Sequence, residues 1–142
     1  MSRENPRVER RNFEAAIGLA LVALHMDERD YANRLLDRSL ETLREVPRLG
    51  SFGHGIADVQ IYAMRGESAK ALATLRRAID EGWRAFWWYD LKHDLSLESL
   101  RGEPEFQAMI GEIETEMATQ LARVREMERN GELAAIPDFS VE

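Results

Sequence analysis

The side chains best equipped for chemistry in this 142-residue chain are its three histidines, His25, His54 and His93, with the hydroxyls and carboxylates near them. In Asp90-Leu91-Lys92-His93-Asp94 an imidazole lies between two carboxylates, the residue types of a divalent metal site or an acid–base pair. One imidazole and two carboxylates with no second histidine nearby make a thin zinc site, so no metal is expected there. Ser51-Phe52-Gly53-His54-Gly55 holds the types of a nucleophile and its base. The strand-turn-helix setting of a nucleophile elbow is missing, however, and Ser51 reads as a turn and N-cap residue. No glycine loop of the Walker or dinucleotide type occurs. The absence of cysteine excludes disulfides, thiolate metal sites and thiol nucleophiles together. The expectation is a protein that is not an enzyme and carries no cofactor; hydrolysis or metal chemistry by His93 with Asp90 and Asp94 is the least favoured reading.

Charge narrows the partners. The formal net charge is −7, and 17 arginines stand against 2 lysines, so a general phosphate-binding surface is not indicated and nucleic acid is not expected. The basic opening, Arg3, Arg7, Arg10 and Arg11, reads as a solvated first turn or a junction with a preceding domain. A chain 44% hydrophobic and 32% charged has the composition of one folded domain with a real core. No stretch approaches the roughly 18 uninterrupted apolar residues of a membrane span, and the opening lacks the apolar core of a signal peptide, so the expected location is the cytoplasm.

The elements that must position these residues are helices. Apolar residues recur three and four apart between Pro and Gly breaks, and no strand pattern is present. Asn5-Pro6 reads as a helix start, with Val8, Phe13, Ile17, Leu21 and Leu24 on one side until about Met26. A polar break, Asp27 to Asp30, leads to a second helix that must stop near Pro47. The first pair spans about 6–46. A third helix over about 52–65 and a fourth over 68–81, ended by Gly82, make a second pair over 52–82. An aromatic segment and a short helical turn fill 83–101. A long helix over 104–130 follows, in which Phe106, Ile110, Ile113, Met117, Leu121 and Val124 form one stripe at four- and three-residue spacing. The single domain spans 1–131, and 132–142 reads as a loose tail.

The two pairs overlay with a 39-residue offset: Ala32 with Ala71, Leu36 with Leu75, Ser39 with Ala78, Leu40 with Ile79. Small residues at two of these positions let helices lie close, and the large ones fill the space between pairs. Ala71, Leu75 and Ala78, with Tyr62 in the preceding helix and Gly66 at the turn, resemble the tetratricopeptide repeat. Asp27 stands where that family has its turn glycine in the first repeat. Gly82-Trp83, the aromatic run, Asp94-Leu95, the Leu97 to Leu100 turn and Glu103-Pro104-Glu105-Phe106 resemble the segment that closes such arrays in bacterial signalling proteins. The resemblance implies an all-α superhelix of antiparallel hairpins with a C-terminal cap and a long final helix.

It also implies a binding face along the first helix of each pair. The first pair supplies Glu14, Ile17, Leu21, Leu24 and His25, and the second Ile56, Gln60, Ala63 and Met64. These lack the Lys and Asn of a carboxylate-gripping groove, which favours an apolar helix or extended peptide as ligand. Alternatively, the long helix covers that face within the molecule. The expected function is a protein-interaction or self-association scaffold with a protein or peptide partner, a homodimer through the long helix being one form of it. The runner-up is a small-molecule sensor whose aromatic loop, 83–89, binds a ligand through Trp87, Trp88 and Tyr89. Against it stands the need of a terminal repeat for a lid. Large rings bury about 150–250 Å² each, so Trp83, Phe86 and at least one of Trp87 and Trp88 are expected to cap the stack.

Overall fold

Three- and four-residue apolar spacing winds into helices along most of the chain. A computed structural model describes residues 3–133, and among these there is no strand. The elements are α1 (Phe13–His25), α2 (Arg29–Leu43), α3 (Ala57–Met64), α4 (Ser68–Asp80), α5 (Trp87–His93), a 3-10 turn (Leu95–Leu100) and α6 (Pro104–Arg129). No helix of the described residues is long and apolar enough to cross a membrane. Of the tail assigned to 132–142, residues 134–142 lie outside the described residues.

Three expected boundaries move. Asn5-Pro6 does not open the first helix, which begins at Phe13. Arg7, Arg10 and Arg11 would repel one another at helical spacing, and an isolated turn is too short to sustain itself. Instead Asn12 ties the segment: its Oδ1 accepts from the Glu9 amide at 2.7 Å, and its Nδ2 donates to the Arg7 carbonyl at 3.2 Å. The third helix starts at Ala57 and not near residue 52, because residues 47–56 form a tight loop. Gly53 is required there, since a Cβ on it would lie 2.3 Å from the Arg48 carbonyl oxygen. Ser51 consequently sits in the loop and caps nothing; the residue preceding α3 is Ile56, without a side-chain cap. The aromatic segment, finally, contains a helix, α5, from Trp87 onward.

Within the unit that runs up to Phe106, α1 packs on α2 and α3 on α4, with α3 also touching the first pair. The axes approach closely because Ala16, Ala20, Ala32, Ala71 and Ala78 are fully buried and offer only a methyl group. Leu35, Leu36, Ile61 and Leu75 fill the space between. The two inter-helix turns have the same backbone. Glu28 N donates to Ala23 O at 2.8 Å, and Glu67 N to Tyr62 O at 2.9 Å, 39 residues on. Both place a left-handed residue before the new helix, Asp27 at φ 59° and Gly66 at φ 75°.

The 3-10 turn lies against α3 and α4. Leu91, Leu97 and Leu100 are buried there with Trp83, which is 2% exposed. The expected aromatic lid is therefore corrected: only Trp83 is fully buried among the aromatic residues of 83–89. Phe86 is 71% exposed, Trp88 56% exposed, and Trp87 half-buried. Phe86 precedes α5 with φ 51°, a left-handed turn that swings its ring away from the core. Leucines, not indoles, do most of the covering.

The second unit begins at Gln107 and contains the rest of α6. Its stripe changes character along the helix. Ile110 and Ile113 are buried and Met117 half-buried, whereas Leu121 is 50% and Val124 42% exposed.

Candidate binding pocket

The loop between α2 and α3 is held by one arginine. Arg48 donates from Nη1 and Nη2 to the two carboxylate oxygens of Asp58, at 3.0 and 2.8 Å, and from Nε to Glu81 at 2.8 Å. A further bond reaches the Gly55 carbonyl at 2.7 Å. Burial works to lower the Arg48 pKa, but the hydrogen bonds and charge of Asp58, and then of Glu81, outweigh it, so the guanidinium is held above its ordinary value. The fork thereby fastens the loop to the start of α3 and the end of α4, and fixes one wall of a concavity.

That concavity encloses about 570 Å³. Its floor is Ile17, Gly18 and Leu21 of α1 with Ile56 and Ala57 at the start of α3. Glu14, Gln60 and His54 supply polar walls, and the far side is built by Trp83, Phe86, Asp90 and Asp94. Asp90 lies in α5 and Asp94 is the extended residue that ends it, and both carboxyl-bearing residues line the same concavity. Asp94 is fully engaged: Gln60 Nε2 donates to its Oδ2 at 2.6 Å, and the Ser96 amide and hydroxyl donate to its Oδ1 at 2.8 and 2.7 Å. Asp90 accepts no side-chain hydrogen bond among the described residues. Burial, and then the charge of Asp94, raise the Asp90 carboxyl from 3.8 to about 6. His54 goes the other way, lowered first by burial, with Asp58 opposing and Arg48 reinforcing. Its Nδ1 is buried and finds no partner among the described residues.

Of the binding face expected from sequence, Glu14, Ile17, Leu21, Ile56 and Gln60 come together around this pocket. Leu24 and Met64 do not; they pack against the core of the first pair. Ala63 is buried, and His25 is exposed, its Nδ1 2.9 Å from the Leu21 carbonyl one turn back. Trp87, Trp88 and Tyr89 are not among the lining residues either. Lys92 lies over the Trp87 ring at 5.7 Å, and Trp88 and Tyr89 meet edge to face at 6.1 Å. Helical geometry accounts for Trp88 and Tyr89, which are one and two positions from Asp90 and point to other sides of α5; Trp87, three before Asp90, shares its side yet does not reach the pocket. His93 contacts the Tyr89 ring at 6.0 Å. It does not join Asp90 and Asp94 in a metal cluster: no group of three such ligands is gathered among the described residues.

Sequence reasoning missed Gly18, Trp83, Phe86 and Asp90 as pocket residues. The signal for the acids was present in their four-residue spacing, but it becomes legible only once 87–93 is known to be helical.

The raised Asp90 carboxyl has a measurable consequence. Between about pH 4 and 6 the folded chain holds this proton more tightly than the unfolded chain does, so stability falls as pH rises through that window. Asp90→Asn removes the penalty. With solvent reaching the group, the expected gain is on the order of 1 kcal/mol at pH 8 and none at pH 4. Thermal melts of both proteins at the two pH values check it; equal gains at both would mean that the charge of the carboxyl is not the cause.

Compared with known proteins, the chain matches no family model, no curated protein and no solved structure.

Proposed function

We propose that this chain is a non-catalytic binding domain of the tetratricopeptide kind, a regulatory or signalling module of the bacterial cytoplasm whose pocket holds a segment of a protein partner. The observation that carries the reading is the convergence of first-helix residues from both pairs, Glu14, Ile17 and Leu21 with Ile56 and Gln60, on one concavity. The matching turns at Asp27 and Gly66 support a repeat origin. So does the alanine packing within each pair. The exposed Leu121 and Val124 of α6 support self-association as a further mode of assembly.

Gly18 adds a second line of support. A glycine inside a helix costs about 1 kcal/mol relative to alanine. A Cβ at Gly18 would meet nothing within 4 Å, so packing does not demand the glycine. It lines the pocket floor, where lacking a side chain keeps room for a ligand backbone. Small-molecule sensing is the second reading, favoured by the pocket's volume of about 570 Å³, a size that small ligands occupy. Its seat is then this pocket and not Trp87, Trp88 and Tyr89.

The test uses displayed random peptides selected on the folded chain. Selected peptides are expected to bind saturably and to lose at least tenfold in affinity on Gly18→Trp, which fills the floor, while Gly18→Ala raises stability by about 0.5–1 kcal/mol. Recovery of no peptide, or of peptides indifferent to Gly18→Trp, overturns the reading.

A further inference from the structure

Besides the His54 Nδ1, the pocket holds two groups without a partner among the described residues. The first is Asp90, a half-buried carboxyl with neither oxygen engaged, placed one turn from Asp94, whose oxygens are already taken by Gln60 and Ser96. The Arg101 guanidinium donates to the Asp94 main-chain carbonyl, whereas no cation among the described residues pairs with Asp90, and a carboxylate beside a second acid lowers stability unless it is paired. The second is the indole of Trp83. The residue as a whole is 2% exposed, but its Nε1 is not among the fully enclosed atoms that lack a partner, and no side-chain or backbone acceptor among the described residues is paired with it. Its Nε1 stands at the pocket wall beside Gly55, where a Cβ would lie 3.4 Å away. An indole N–H only donates, and an ionised carboxylate only accepts.

A ligand that satisfies both carries a cation and a hydrogen-bond acceptor such as a carbonyl. An arginine residue within a peptide has that pairing. Its planar guanidinium fits a carboxylate with two free oxygens better than an ammonium does. The exposed Phe86 ring on the rim offers a face on which a guanidinium stacks. Glu14, which also lines the pocket, and the net charge of −7 favour the same sign of ligand.

We propose that the pocket receives an arginine of the bound protein segment, its guanidinium paired with both oxygens of Asp90 and its main-chain carbonyl accepting from the Trp83 indole. This rests on the reading of the pocket as a protein-binding groove, and it names the residue that the groove selects.

The experiment follows the indole N–H signals of the ¹⁵N-labelled chain by NMR. Trp87→Phe and Trp88→Phe identify the remaining Trp83 signal. The probes are N-acetyl-arginine N-methylamide and its citrulline counterpart, which keeps the shape and carbonyls but lacks the charge. The arginine probe is expected to shift the Trp83 signal saturably, with the citrulline probe at least tenfold weaker. Asp90→Asn is expected to abolish that difference without unfolding the chain. Equal binding of the two probes, a discrimination that survives Asp90→Asn, or a Trp83 signal that stays still each overturns the arginine site. Peptides that lack arginine yet are expelled by Gly18→Trp would overturn it too while leaving the groove standing. If no peptide binds at all, the groove itself fails.

Discussion

Arg48→Ala lowers the stability of this chain by about 3–5 kcal/mol, the cost of stranding a buried charge. The Arg48 side chain is 8% exposed and that of Asp58 is 11% exposed, so water cannot replace the lost partner. What remains to Asp58 is the Val59 amide at 3.0 Å. Arg48→Lys recovers only part of the loss, because one ammonium cannot span both Asp58 oxygens, Glu81 and the Gly55 carbonyl as the fork does. Removing both charges in Arg48→Met with Asp58→Asn costs less than the sum of the single changes, since neither ion is then left alone. Denaturant titration of the four proteins measures this coupling. A loss under 1 kcal/mol for Arg48→Ala would mean that solvent screens the pair. The effect extends to function, because the same guanidinium holds the 47–56 loop that walls the pocket.

The second large effect separates two neighbouring aromatics. Trp83→Ala is expected to cost about 3–5 kcal/mol, as deletion of a fully enclosed large ring does. Phe86→Ala is expected within about 0.5 kcal/mol, since an exposed ring loses little apolar burial. Its left-handed backbone adds to the contrast: at φ 51°, Phe86→Gly is expected to be neutral or stabilising. The double change Trp83→Ala with Phe86→Ala should therefore melt with Trp83→Ala alone. Should Phe86→Ala prove as damaging as Trp83→Ala, the ring would have to be buried in solution. In the peptide-binding assay Phe86→Ala is expected to weaken ligands, as loss of a pocket-lining ring, while leaving the melt unchanged.

Much of the helical framework was legible in the residues. Ala32, Leu36 and Ser39 against Ala71, Leu75 and Ala78 announced two like pairs, and these positions are buried in both. Pro47, Gly66, Gly82 and Pro104 marked breaks that the helices respect, because each changes what its own backbone can adopt. Where local rules met competing ones, the reading slipped. Pro6 satisfies the preference for a first helical turn, yet the charges around it leave nothing to stabilise that turn. In 83–93, aromatic content signalled burial, but hydrophobicity is a property of the residue and exposure is a property of its direction. One left-handed residue at Phe86 redirected the series, so that Trp83 went inward and Trp88 outward.

By itself, then, the sequence determined that this protein is helical, where most of its helices run and which small residues let them touch, because those depend on periodicities a few residues long. Tertiary structure alone decided that Asp94 pairs with Gln60, that Arg48 ties Asp58 to Glu81, and that Asp90 and the Trp83 indole line one pocket. Those partners are 30 or more residues apart in several cases. Their meeting depends on how whole helices stack, which no local spacing encodes.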